Sequence, residues 1–309
     1  MRYVTKVAIT KIFISTYSEG MYDYDRLLDD LEIYNKLGAE VFYIGSTHLG
    51  NLIPVVRVGN QIKPSVICVY GTHAREHITC ALSYYHIRKH LKAKLQNSCI
   101  YFLPMLNIDG VELCLKGLNS VQPYLCKKFL TEINNFSQDF SLWKANIRGV
   151  DLNTNFPARW GTGEHNKLYP SPSDYIGEFP LSENENLALY NFTKKVCPYA
   201  VLSFHCKGEE IYWRFYQSRK NLERDYKIAK NLAMYTSYKL KDGFNSAGGF
   251  KDWCIQTLKI PAFTIEIGND TFSHPFPYSE LKQIVERNID IIDVLLESVF
   301  KLLENRIGR

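Results

Sequence analysis

The stretch Ser65-Val66-Ile67-Cys68-Val69-Tyr70-Gly71-Thr72-His73-Ala74-Arg75-Glu76-His77 decides the fold class. Its first six residues form a near-continuous apolar run, as a strand covered on both faces does. Gly71 ends the run, and a helical pattern follows from residue 76 to about residue 92. A buried strand that hands over to a helix is the repeating unit of a largely parallel α/β sheet. The hand-over recurs along the chain. Cys99–Leu106 runs into Asn107-Ile108-Asp109-Gly110, Ala200–Phe204 runs into His205, and Ala262–Ile267 carries Glu266 near its far end. Ligands of open α/β sheets bind beyond the carboxyl ends of the strands, so these polar residues are expected at one rim.

Further helices are expected at about residues 21–37, 182–196, 219–240 and 279–304. Ser182 and Glu185 have capping-box spacing at the start of one, which stops before Pro198; the first ends at Gly38. In the last, Ile284, Val285, Ile292, Leu295, Leu296, Val299 and Leu303 recur at three- and four-residue intervals, so one face should pack on the sheet. Between Pro157 and Leu181 neither period is present, and an aperiodic stretch of that length in a compact domain is expected to serve function. The expected architecture is α/β: a single domain over residues 1–309, with residues 1–20 as a lead-in. Its sheet should be mixed, mostly parallel and twisted, with helices on both faces.

Composition bounds the function classes. The chain has 309 residues, 46% of them hydrophobic and 22% charged, which excludes disorder and coiled coil. The formal net charge of +5 is dispersed among acidic residues, so no nucleic-acid partner is expected. No apolar run reaches the roughly 18 residues that cross a bilayer. Lys6 and Lys11 interrupt the N-terminal apolar stretch, so neither a membrane partner nor a signal peptide is expected. The eight cysteines form no C-x-x-C pair, which favours free buried thiols in a reducing, cytoplasmic setting.

His73 and Glu76 lie three residues apart at a strand-to-helix turn, close enough for both to reach one ion. His205 could complete a two-His, one-Glu set, which holds zinc with a fourth position open. A competing reading takes His73-Ala74-Arg75-Glu76-His77 as H-x-x-E-H, with both histidines as ligands and Glu76 as base. That reading leaves His205 and Glu266 without a role.

Six blocks in order make the sequence resemble the zinc carboxypeptidase family, of which carboxypeptidase A is the familiar member. They are His73-Ala74-Arg75-Glu76, Asn107-Ile108-Asp109-Gly110, Gly149-Val150-Asp151-Leu152-Asn153-Thr154-Asn155-Phe156, Ser182-Glu183-Asn184-Glu185, Ser203-Phe204-His205 and Phe263-Thr264-Ile265-Glu266. The subgroup most resembled is the bacterial γ-D-glutamyl-meso-diaminopimelate peptidases. The resemblance implies one Zn²⁺ per chain held by His73, Glu76 and His205, with Glu266 as general base. It also implies a cation facing the developing oxyanion, placed at Lys144 after Trp143 or at Arg148. Asp151 could accept the second ring N–H of a ligand histidine.

Three departures bear on substrate. Asn153-Thr154 stands where carboxypeptidases carry Asn-Arg, so the clamp on a terminal carboxylate is missing. Phe244 replaces a mobile Tyr. Lys251 falls where the side chain beyond the scissile bond is read, and an ammonium there should prefer a carboxylate. Glu209 or Glu210 could accept the side-chain amine of diaminopimelate. The implied substrate is a peptidoglycan-derived stem peptide. Two other readings are a metallocarboxypeptidase removing C-terminal acidic residues from ordinary peptides, and a non-catalytic peptide-binding protein on the same fold.

Overall fold

Asp23 opens the first helix by accepting a hydrogen bond from the Arg26 N–H, and α1 (Tyr24–Lys36) buries Leu27, Leu31 and Tyr34. The computed structural model describes residues 21–59, 64–93, 95, 97–243 and 245–307. The lead-in 1–20 and Phe244 lie outside the described residues. After α1 come β1 (Glu40–Ser46), β2 (Leu52–Gly59), β3 (Ser65–Val69), α2 (Ile78–Ala93), β4 (Cys99–Leu103), α3 (Ile108–Lys116) and α4 (Tyr124–Ile133). The second half holds α5 (Asn184–Val196), β5 (Ala200–Cys206), β6 (Glu210–Tyr212), α6 (Arg219–Thr236), β7 (Lys239–Lys241), α7 (Phe250–Trp253), β8 (Ala262–Ile267), α8 (Leu281–Asn288) and α9 (Ile291–Ile307).

The eight strands form one sheet in the order β1-β2-β4-β3-β5-β8-β6-β7. The central pairs β4/β3, β3/β5 and β5/β8 are parallel, as is β6/β7; the other three are antiparallel. Every residue of β3 and β5 is buried, so both faces of the sheet centre are covered. One apolar cluster joins residues from Tyr22 to Val299, which makes this a single α/β domain. From β3 the chain crosses to β4 on one side and later returns to β5 on the other. The strand order therefore reverses at β3, and a crevice opens between the carboxyl ends of β3 and β5.

Four differences from the sequence reading have local causes. β6 and β7 have three residues each, too short to show a period, and β1 and β2 were likewise not anticipated. The last helix is two: His86 Nε2 and Lys89 Nζ bond the Asn288 and Ile289 carbonyls at 3.0 Å each, taking them from the helical ladder. Helix α6 ends at Thr236 because Ser237 adopts a left-handed conformation. No capping box forms at α5: Ser182 Oγ donates to Glu183 Oε1, Glu183 is the N-cap, and Glu185 is fully buried. Residues 157–181 contain no helix or strand, as expected; an isolated bridge joins Lys167 to Tyr175.

Candidate active site

The turn after β3 delivers two of the functional side chains. Gly71 has φ +62°, and a Cβ there would come within 2.5 Å of Cys80 Sγ, so a side chain is excluded on both counts. His73 is extended, and residues 74–76 form one tight helical turn that brings Glu76 back beneath it. The N–H groups of Ala74 and Arg75 bond the carbonyls of Lys144 and Trp143 at 3.1 and 2.9 Å. These two bonds hold the Trp143-Lys144 segment against the turn. β5 supplies His205, and β8 places Glu266 directly beside it in register.

His73, Glu76 and His205 converge. His73 Nδ1 lies 2.8 Å from Glu76 Oε1, His205 Nδ1 lies 3.2 Å from Glu76 Oε2, and the two Nδ1 atoms are 3.2 Å apart. Ligands about 2.0–2.1 Å from one tetrahedral zinc ion would stand about 3.3 Å from each other, so the donor set fits such an ion. All three residues are buried. His73 Nε2 is 3.1 Å from Asp151 Oδ1, the partner that fixes the tautomer leaving Nδ1 free for a cation. The Cys206 N–H donates to Glu76 Oε2 at 3.1 Å and orients that carboxylate.

Charge is dense here. Burial alone would raise the Glu76 pKa, but His73 and His205 hold it well below the usual carboxylate range. Burial lowers the His205 pKa, so its imidazole is neutral. Asp151, despite burial, is held far down by Lys144 and His73. Lys144 Nζ sits 2.7 Å from Asp151 Oδ2 and 3.1 Å from Asp174 Oδ1. Burial, then the Glu76 charge, push Glu266 up to about 8.

A cleft of about 580 Å³ opens over this wall, lined among others by His73, Lys144, Asn153, Lys251 and Glu266. Five sequence-derived candidates thus share one cavity. Thr154 does not line it: its hydroxyl donates to the carbonyls of Asp151 and Tyr175 at 2.9 and 3.4 Å. Arg148 is placed elsewhere, pairing with Glu178 and Glu183 beside a separate groove, so of the two cations only Lys144 reaches the cleft. Lys251 arrives with its ammonium engaged, 2.5 Å from Asp252 Oδ1 and 3.3 Å from the Arg214 carbonyl. His77 faces away from the cluster: its Nδ1 lies 3.1 Å from Tyr278 Oη, and the rings stack. Glu209 pairs with Arg287, whereas Glu210 pairs with Lys241.

The sequence reading did not single out Tyr212, Lys241 or His165, which also line the cleft, nor Asp174. Tyr212 and Lys241 sit on the three-residue strands β6 and β7, and His165 and Asp174 in the aperiodic segment, so no hydrophobic pattern marked them.

Residues 24–291 match the Peptidase_M14 family, described as zinc carboxypeptidase. Gamma-D-glutamyl-L-diamino acid endopeptidase 1 of Lysinibacillus sphaericus is 33% identical over 292 residues, covering 87% of this chain and 71% of that protein. Among solved structures, bovine thrombin-activatable fibrinolysis inhibitor superposes with a TM-score of 0.75 at 20% identity, over 91% of this chain and 98% of that one. Murein-tripeptide amidase MpaA of Escherichia coli O157 superposes with a TM-score of 0.54 at 21% identity, over 86% and 95% of the two chains. At these identities the two structures speak for the fold, while the family match and the relative speak for descent. This chain belongs to the zinc carboxypeptidase family and is a zinc metallopeptidase, a hydrolase.

Proposed function

We propose that this chain hydrolyses the γ-D-glutamyl-meso-diaminopimelate bond, or a closely related one, of peptidoglycan stem peptides. The observation that carries this reading is Thr154. Its hydroxyl is spent on two backbone carbonyls outside the cleft, so this position offers no cation to clamp a terminal carboxylate. Such a cleft suits a bond whose leaving side is read by its own side chain rather than by a chain end. The relative from Lysinibacillus sphaericus, by its name, acts on γ-D-glutamyl-L-diamino acid bonds.

In this mechanism His73, Glu76 and His205 would hold one Zn²⁺, and Asp151 fixes the His73 ring. A bound zinc ion would supply Lewis-acid polarisation of the scissile carbonyl and lower the pKa of water. Glu266, beside His205 and facing the cleft, takes a proton from the attacking water and returns it to the leaving amine. Lys144, buried but for its face on the cleft, stabilises the negative oxygen that develops on the tetrahedral carbon. Asn153 and Lys251 shape the wall that receives the leaving side, and Phe244 is assigned to cover it by the resemblance alone.

The eight cysteines are all free and five are buried, which supports action on wall fragments in a reducing compartment such as the cytoplasm. Among the described residues no helix is long and apolar enough to cross a membrane. The test is a pair of peptides, one γ-linked through D-glutamate to meso-diaminopimelate and one α-linked with a C-terminal glutamate. Mass analysis should find cleavage of the first and little of the second. Trimming of the α-linked peptide alone would make the chain a carboxypeptidase for acidic ends.

A further inference from the structure

Alternation along β6 puts Glu210 and Tyr212 on one face and buries Ile211 on the other. β7 is paired in parallel with β6, Tyr212 opposite Lys241, so Lys241 joins that face. The three side chains are bonded together. Tyr212 Oη donates to Glu210 Oε2 at 3.1 Å, and Lys241 Nζ lies 3.0 Å from Glu210 Oε1. Tyr212 and Lys241 both line the cleft that holds His73, Lys144 and Glu266. β6 is paired on its other side with β8, Glu210 opposite Glu266, so this wall stands across one strand spacing from the reacting groups.

The cleft cations differ in how committed they are. Lys144 is shared between Asp151 and Asp174, and Lys251 is nearly buried between Asp252 and the Arg214 carbonyl. The Lys241 side chain is 48% exposed and has one carboxylate partner, Glu210, which Tyr212 holds in place. An exposed ion pair of this kind contributes little by itself and exchanges partners readily.

We propose that Glu210 and Lys241 form a reader for a zwitterionic side-chain terminus, an ammonium and a carboxylate carried on one carbon. Lys241 turns to the carboxylate, and Glu210, steadied by the Tyr212 hydroxyl, accepts the ammonium. The substrate class is a peptide whose leaving residue is a diamino dicarboxylic acid, in preference to lysine, which lacks the second carboxylate. This assignment rests on the peptidase function proposed above and names the residues that select its substrate.

The test measures kcat/KM on two γ-D-glutamyl peptides, one with meso-diaminopimelate and one with L-lysine on the leaving side. The wild-type chain should prefer the diaminopimelate peptide about tenfold or more, the scale of one charge-assisted hydrogen bond. In Lys241→Met that preference should collapse toward unity, mainly through KM, while Arg148→Met, outside the cleft, should keep it. Glu210→Gln should raise KM on both peptides. A preference unchanged in Lys241→Met, or one abolished by Arg148→Met as well, overturns the proposal while leaving the peptidase function standing. Should the wild-type chain cleave neither peptide, the peptidase function fails, and calorimetry with free meso-diaminopimelate decides about the reader. Binding weakened in both Lys241→Met and Glu210→Gln supports it; no binding, or binding indifferent to both, overturns it.

Discussion

The side chains of His73, Glu76, His205 and Asp151, on the inner wall of the cleft, are at most 7% exposed, whereas that of Lys241 on the outer wall is 48% exposed. The inner wall is built from the carboxyl ends of the buried strands β3 and β5 together with Asp151 from the irregular chain after α4, and it is cross-braced: Asp151 binds both His73 and Lys144, and the Cys206 N–H binds Glu76. The outer wall rests on two three-residue strands at one end of the sheet, of which β7 is the edge, and on one ion pair. Reaction chemistry needs fixed donors, which rigid strand ends provide. Substrate choice can be set on a wall that adjusts, and edge elements tolerate sequence change at small cost.

Five substitutions and one change of pH probe that division. His205→Ala removes a ligand and should abolish zinc retention after dialysis, and hydrolysis with it, as read by elemental analysis. His77→Ala should keep its zinc, because His77 bonds Tyr278; zinc loss in His77→Ala alone would restore the H-x-x-E-H reading. Next, Glu266→Gln should lower kcat by about 10²–10⁴ while zinc content stays near one per chain. Near-normal turnover in that variant would remove Glu266 as the base.

Lys144→Met should cost about 10²–10³ in kcat if its ammonium faces the oxyanion. Arg148→Met, outside the cleft, should leave kcat within about twofold, and the reverse order would exchange the two roles. A further test is the pH dependence of zinc affinity. Burial lowers the His73 pKa, but Glu76 and Asp151 outweigh it and carry the ring up to about 9 in the metal-free chain. Below that pH, zinc must expel the proton from His73, so affinity should rise as pH rises, by about tenfold per unit between roughly pH 6 and 8. A competition titration that is flat across this range would contradict the tightly paired inner wall.

The two walls also differ in how readable they were. β3, β5 and β8 announce themselves as apolar runs whose polar ends carry His73, Glu76, His205 and Glu266, and the family resemblance supplied their roles; the end of β4, expected at the same rim, instead makes Asn107 the cap of α3 and binds Asp109 to Thr47 and Asn51. Lys144 and Arg148 lie in an irregular segment where spacing carries no direction. Only the bonds from Ala74 and Arg75 to the Lys144 and Trp143 carbonyls show which cation reaches the cleft. Glu210-Ile211-Tyr212 and Lys239-Leu240-Lys241 are too short and too polar to read as strands, so the reader they form had no pattern to betray it. The Lys251 ammonium, expected to read a substrate carboxylate, is bound by its own neighbour Asp252, a local contact that charge counting does not reveal.

The central claim is that a single zinc ion in the His73, Glu76 and His205 set drives hydrolysis of a γ-D-glutamyl-diaminopimelate peptide. Stripping the protein with a chelator and titrating zinc back, while following release of the diaminopimelate product, tests it directly. Turnover should vanish on stripping and return linearly, reaching its maximum at one zinc per chain. Full turnover in the stripped protein, or zinc bound at one per chain with no hydrolysis of any γ-linked peptide, would contradict it.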